Sequence, residues 1–444
     1  MPSLNVSSYI EECLISVINQ TINEIEILCI DGGSTDGTTE IIKKYAKTDD
    51  RVVFITSDKR SHGYQCNIGM EMARGKYIGF VETDDYIEPD MFQTLYEVAE
   101  KNNLDCVKSD FYGFVDLNEG IRYQEKKKIF PQKNEWYRYG ISFSPAEHTD
   151  VLRRDNNMWN GIYRRTFIEK YNIRLNETDG AAYQDMGFLF QTICQANRMT
   201  YIDRGFYHYR RDNENSSVYS LNGLEKIWKE FGFCKSFLVN NDEAFRSWWI
   251  EFYFKLSGMS IANRIAIIMQ NSNGLTKETR NILVGVRNEI EEGMKLGIIQ
   301  LDSFSLDRLM EIDLLLKNVD AYSEYLGSLR RVKIKYHNLM IRKAQEKQLA
   351  VIFGCTKEGQ RLCVLLYKSG KVTNILFCDN NISIQGTELL GFEIVSPAIA
   401  VSSGYSSVYY ITGKGSAIDM FKQLINLGVS REDIVFYQST GIEI

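Results

Sequence analysis

The chain is short of proline, of histidine, of charge imbalance and of long apolar runs. Only 5 of its 444 residues are Pro and 4 are His. The nine Cys never stand at CxxC spacing, which excludes a zinc knuckle and a thioredoxin motif. Their number is odd and they lie mostly in apolar runs such as Leu28-Cys29-Ile30, as reduced, buried thiols of a cytoplasmic protein do. No stretch approaches 18 apolar residues, so no transmembrane helix is expected, and no basic segment leads into an apolar one as in a signal peptide. Lys and Arg total 52 against 58 Asp and Glu, a net charge of -6 that gives no reason to expect a nucleic-acid partner. Internal repeats and low-complexity segments are absent.

What is present is ordinary for a globular protein, 44% apolar and 25% charged residues. The length suits two or three domains. Strand and helix alternate over the first 110 residues. Apolar spacing predicts a helix over 8–19, Glu24 to Ile30 reads as a buried strand, and a helix runs from the Asp31-Gly32-Gly33-Ser34 turn to about Tyr45. Strands follow at Val52 to Ile55 and Tyr77 to Val81, a helix opens after Pro89, and Cys106 begins another strand. This order argues an α/β domain with a mostly parallel sheet, whose ligand lies beyond the carboxyl ends of the strands. Residues 219–347 read as helical. A second βαβ pattern starts at Leu349. The expected division is 1–218, 219–347 and 348–444.

Three motifs carry chemistry. Glu82-Thr83-Asp84-Asp85 sets three carboxylates within four residues at a strand end. Such acids repel one another unless a cation sits among them, and oxygen-only ligands favour Mg²⁺ or Mn²⁺. The plainer reading is a solvated acidic turn. Asp31 ends a buried strand and points a carboxylate acceptor at the crevice. Gly63 to Gly69 and Arg74-Gly75 flank a helix leading into the acidic strand.

Taken in order, Met1-Pro2-Ser3-Leu4-Asn5, Ser16-Val17-Ile18-Asn19-Gln20-Thr21, Ile30 to Asp36, Asn67-Ile68-Gly69 and Glu82 to Pro89 resemble the inverting nucleotide-sugar glycosyltransferases of family two, which have the GT-A fold. The resemblance implies that Asp31 reads the donor's base, that Pro2 and Asn5 line that pocket, and that Asn67 supports the diphosphate. It places Glu82, Thr83 and Asp84 at the donor, with Asp84 on a Mn²⁺ or Mg²⁺ ion. Glu82 stands where relatives carry Asp, and Cys66 where many carry Arg. Tyr183-Gln184-Asp185-Met186-Gly187-Phe188 resembles the family's acceptor segment. Asp185 is then the catalytic base, and Trp159, Gln184, Arg210 and Arg211 face acceptor or diphosphate. His208 is a metal ligand or a packed structural histidine, and His62, His148 and His337 are surface residues.

The implied activity is transfer of a hexosyl or N-acetylhexosaminyl group from a nucleoside-diphosphate sugar, UDP first, to a bacterial cell-envelope glycan or glycolipid. The implied place is the cytoplasm, at the inner face of the membrane, with an oligomer left open. The basic stretch Arg330 to Lys347 is a solvated helix or grazes that membrane. The rival reading is a degenerate, non-catalytic scaffold. Residues 348–444 resemble the Rossmann-like accessory domains of bacterial sugar-transferring enzymes, with only Gly354 and Gly359 of a three-glycine fingerprint. Family members also carry an apolar strand ahead of the Pro2 turn. Without its body an apolar trench and unpaired backbone are expected, and an upstream-extended chain is expected to be more stable or more active.

Overall fold

The computed structural model describes residues 1–118, 120–130, 137–213, 223–241, 246–272, 274–299 and 301–440. They form two compact units, one of residues 1–113 and 126–328, the other of 114–125 and 329–444. The division differs from the segments expected above. The helices up to Ser328 belong with the first unit, and 114–125 with the second.

The first unit opens with β1 (Pro2–Ser3), α1 (Ile10–Ile18), β2 (Ile27–Asp31), α2 (Thr38–Ala46), β3 (Val52–Thr56), α3 (His62–Met72) and β4 (Tyr77–Gly79). It continues with β5 (Tyr86–Ile87), α4 (Met91–Asn102), β6 (Cys106–Asn118, to Gly113 in this unit), and, past β7 (Ile121–Lys127), β8 (Gly161–Arg164), α5 (Arg165–Lys170), α6 (Gln184–Gln195) and β9 (Met199–Arg210). The helices α7 (Gly223–Asn240), α8 (Arg246–Leu256), α9 (Met259–Asn271), α10 (Lys277–Lys295), α11 (Leu306–Lys317) and α12 (Val319–Gln345) follow.

The fold is mixed α/β, as expected, and its strands are divided between two sheets. β1, β2 and β3 are parallel, with Ser3 opposite Asp31 and Asp31 opposite Thr56. The second sheet has the order β4-β8-β6-β9-β5. Here the expected parallel pairing gives way. The βαβ crossover from β4 through α4 to β6 does form, but β8 inserts between those strands and runs antiparallel to both. Sequence alternation shows the crossover and not the insertion.

Between β2 and β4 lies a cavity of about 720 Å³. Its walls are largely apolar, with Ile27, Leu28 and Ile30 on one side and Tyr77, Ile78 and Phe80 on the other. A single apolar core runs through this unit, from Ile10 and Leu14 of α1 to Leu326 of α12.

In the second unit, β10 (Leu349–Phe353), α13 (Lys357–Lys368), β11 (Ile375–Cys378), β12 (Glu388–Leu389), β13 (Phe392–Val395), α14 (Pro397–Ser402), β14 (Ser407–Ile411), α15 (Ala417–Asn426) and β15 (Ile434–Phe436) build one sheet. The order is β12-β13-β11-β10-β14-β15, parallel except at β12. This is the Rossmann-like arrangement expected over 348–444. Residues 114–125 join it through Val115 and Tyr123, which pack on Val364. Arg361 donates to both oxygens of Glu125, at 2.8 and 2.9 Å. After β10 the backbone N–H of Cys355 donates to Asp379 at 2.9 Å, so the turn's amide is already taken.

All nine Cys are free thiols. No helix among the described residues is long and apolar enough to cross a membrane.

Candidate active site

The acidic turn from Glu82 to Asp85 separates its three carboxylates into different jobs. Asp85 is buried. Its oxygens accept the Tyr207 hydroxyl and the Arg210 backbone N–H, each at 2.7 Å, which moors the turn to β9. Thr83 donates to the Pro2 carbonyl at 2.9 Å, which ties the turn to β1. Asp84 and Glu82 are left facing a cavity of about 640 Å³. That volume is in the range of small-molecule sites. Burial raises the Asp84 carboxyl above its ordinary range, against a hydrogen bond from Asn213 Nδ2 (2.8 Å), and Glu82 adds to the rise.

The second wall comes from α3. Ser61 accepts the Tyr64 N–H and caps the helix, so that His62 and Gln65 of the first turn line the cavity. His62 Nε2 lies 2.9 and 3.0 Å from the two Glu82 oxygens. Burial opposes the imidazolium, but Cys66 and Glu82 hold His62 well above the usual histidine range. Burial pushes Glu82 up, but the His62 charge and hydrogen bond, with the N-terminal charge, together hold it below its ordinary value. The two form an ion pair.

The third wall is the start of α6. Tyr183 holds the left-handed conformation at φ +68°, a strained state for a residue with a side chain. It delivers Gln184 and Asp185 to the cavity. Asp185 Oδ1 accepts the Met186 N–H at 2.9 Å. Burial pushes its carboxyl up to about 6, with His62 pulling down and Glu82 pushing up. Behind it, Glu230 of α7 accepts the Gly187 N–H at 3.0 Å and the Asn176 amide at 3.0 Å. Burial pushes the Glu230 carboxyl up to about 8, so it meets the start of α6 mainly as a neutral acid. Trp159 completes the cavity, stacked on Tyr207 at 4.2 Å and Tyr209 at 5.3 Å between ring centres.

Of the residues singled out in the sequence, Pro2, Asn5, Glu82, Thr83, Asp84, Trp159, Gln184 and Asp185 line this one cavity. The others do not. Both Asp31 oxygens accept from the start of the next helical turn, one from Ser34 and one from Ser34 N–H (3.1 Å) and Thr39 (2.9 Å). Asn67 spends its amide on the Leu175 backbone and Glu177. His208 is turned to the opposite side of β9 from Tyr207 and Tyr209. It stacks between Tyr86 and Tyr112 and lies 2.8 Å from Glu88. It is the packed histidine, not a partner of Asp84. Arg210 donates to the Asp84 carbonyl at 2.9 Å and pairs with Glu12 and Asp212. Its role there is to hold the turn, and Arg211 lies against the Tyr209 ring. Gln184 clamps its own loop, accepting the Ala182 N–H and donating to Thr178.

His62 and Gln65 were not evident from the sequence, and neither were the cations Arg60 and Lys226 at the cavity. His62 is no surface residue, and His337 is buried too, 2.8 Å from Thr440. The i, i+4 spacing of His62 and Cys66 was a weak signal. Nothing local in sequence joins either to Glu82.

Among the described residues no three His, Cys, Asp or Glu side chains surround one point. The chemistry of the cavity still suits a hard cation. Asp84 offers oxygen, and Mg²⁺ or Mn²⁺ commonly takes one or two carboxylates plus substrate phosphate.

Residues 1–171 match the family model described as glycosyl transferase family 2. The uncharacterized glycosyltransferase EpsJ of Bacillus subtilis is 34% identical over 222 residues, covering 49% of this chain and 61% of EpsJ. The cholesterol galactosyltransferase of Borreliella burgdorferi is 26% identical over 270 residues, covering 57% of this chain and 72% of that protein. The chain spans about six-tenths of the length of EpsJ and of the B. subtilis putative glycosyltransferase EpsH. Among solved structures, S. aureus TarS 1–349 with UDP-GlcNAc has a TM-score of 0.41 at 18% identity, covering 67% of this chain and 90% of that one.

Proposed function

We propose that this chain transfers a hexosyl or N-acetylhexosaminyl group from a nucleoside-diphosphate sugar, UDP first, to a hydroxyl of a cell-envelope glycan or glycolipid, inverting the anomeric carbon. The observation that carries the reading is that Asp84 and Asp185 open on one cavity from different elements, while Asp185 is poised at about 6. The family of residues 1–171 supports it.

In this reading Asp185 takes the proton from the acceptor hydroxyl. The oxygen bonds to the anomeric carbon as the bond to the diphosphate breaks, and one displacement inverts the centre. A base near pH 6 is largely ionised at neutral pH and still basic enough to work. Trp159, held by Tyr207 and Tyr209, is a flat wall for a sugar ring. Asp84 is the residue to hold Mn²⁺ or Mg²⁺. Such an ion supplies positive charge beside the leaving diphosphate. Residues 1–218 then hold both substrates, α7 backs the acceptor wall, and 348–444 serve assembly. The protein works in the cytoplasm at the inner membrane face.

The test is release of UDP from UDP-sugars with Mn²⁺ and an envelope glycan extract. Turnover that Asp185→Asn abolishes supports the reading. A chain that binds UDP but never turns over, with any sugar, is the scaffold instead.

A further inference from the structure

Gln65 is 3% exposed, lines the 640 Å³ cavity, and its side-chain amide has no hydrogen-bond partner among the described residues. The amide is not sealed off: it opens on the cavity, where water or a ligand can pair it. The contrast with Asn67, two residues on in the same helix, is direct. That amide is paired with Leu175 and Glu177.

Gly32 makes room for the Gln65 head group. A Cβ on Gly32 would overlap the Gln65 amide nitrogen. Gly32 is held in place by its own N–H, which donates to the Ser3 carbonyl at 2.9 Å. The amide therefore lies over bare backbone where β1 and β2 end, beside Pro2, Ser3 and Leu4 of the cavity wall. Asp31, the neighbouring carboxylate, is consumed by Ser34 and Thr39.

A primary amide presents an acceptor and a donor side by side in one plane. Its complement is another flat edge with an N–H next to a carbonyl. In a nucleoside-diphosphate sugar only the base has such an edge, and in uracil it is N3–H beside a ring carbonyl. We propose that Gln65 reads the uracil edge of the donor, accepting N3–H with Oε1 and donating from Nε2 to the adjacent carbonyl. The proposal rests on the donor-site reading above and assigns the base contact to Gln65 instead of Asp31.

The experiment is calorimetric titration of the full chain with UDP and with N3-methyl-UDP, in Mn²⁺, for the natural protein and for Gln65→Leu. The natural protein is expected to bind UDP at least tenfold more tightly than the methylated probe. Gln65→Leu is expected to lose about tenfold for UDP and to treat the two ligands alike. Should the Leu variant melt early, Gln65→Glu keeps the shape and the acceptor but loses the donor, and its expected result is weakened UDP binding with the N3 preference retained. A variant that binds UDP undiminished, or a Leu variant that still discriminates against N3-methyl-UDP, overturns the assignment to Gln65 and leaves the donor site standing. Binding of GDP without UDP overturns the uracil assignment. A natural protein that binds no nucleoside diphosphate overturns the donor reading, and this proposal with it.

Discussion

The His62 imidazole straddles the Glu82 carboxylate, with Nε2 2.9 Å from one oxygen and 3.0 Å from the other. Glu82 stands where relatives of the resembling family carry Asp, and its extra methylene gives it a longer reach toward α3. The pair matters to Asp185, since His62 pulls its carboxyl down while Glu82 pushes it up. In His62→Ala both effects turn the same way. The lowering charge is gone and Glu82 remains without its partner. The acid limb of kcat/KM is expected to move upward by about one pH unit, the size of one charge interaction across a few ångströms of partly screened protein. The pH profile of the variant checks it, and an unmoved limb would detach His62 from the base.

Asp185 itself carries a trade between stability and activity. Its pKa rises from the usual 3.8 to about 6 in the folded chain, chiefly by burial. The folded state gains from the retained proton at low pH and loses that gain as pH rises through 6, so at neutral pH the ionised group costs stability. Asp185→Asn removes that cost and keeps the oxygen that accepts the Met186 N–H. Complete burial would make the gain about 3 kcal/mol, and the opening to the cavity brings it nearer 1–2 kcal/mol. The variant is expected to melt higher than its parent at pH 7.5, by a smaller margin at pH 4.5, and to lose about 10²–10⁴-fold in turnover. Melting curves at the two pH values and a turnover assay test both halves.

Gly187 is fixed by what approaches it. A Cβ there would overlap the Glu230 carboxylate oxygen and the Phe233 ring. Gly187→Ala must push α7 away from the start of α6, costing about 1–3 kcal/mol by overpacking. It also breaks the Glu230 contact behind Asp185. Nucleotide binding, on the other walls, is expected to survive, while kcat falls about 10²-fold through misplacement of the base. An equal loss in donor affinity would show that the change spreads beyond α6.

Much of the first unit was legible because its signals are local. The apolar helix over 8–19 and the strand before Asp31 follow from spacing, and they appear as α1 and β2. The acidic turn is marked by its own composition, and Asp185 by the resemblance of Tyr183 to Phe188 to the family's acceptor segment. The sidedness of β9 was not legible. Tyr207, His208 and Arg210 stand within four residues, yet one moors Asp85, one stacks between two tyrosines and one holds the Asp84 carbonyl. Nor was the insertion of β8 between β4 and β6, which depends on pairing between residues 85 positions apart, such as Ile78 and Tyr163. At Asp31 local partners enter that the strand order does not show. Its strand end points to the ligand crevice in general, while Ser34 and Thr39 three and eight residues on consume the carboxylate.

Asp84 separates the metal from the fold. Its carboxyl is raised by burial and by Glu82, beyond what the Asn213 hydrogen bond offsets, so as an ionised group it weakens the apo protein above its ordinary titration range, and a bound cation or a proton relieves it. Asp84→Asn keeps an acceptor for Asn213 and drops the charge. The variant is expected to melt higher than its parent without metal and to show no further rise on adding Mn²⁺ with UDP. The parent is expected to rise with that pair, by about 2.7 kcal/mol of stabilisation at a hundredfold excess over Kd. Differential scanning calorimetry of both chains, with and without Mn²⁺ and UDP, resolves the four states. An equal ligand-induced rise in parent and variant would move the cation off Asp84, while a rise with UDP alone in both would make binding at this cavity independent of metal.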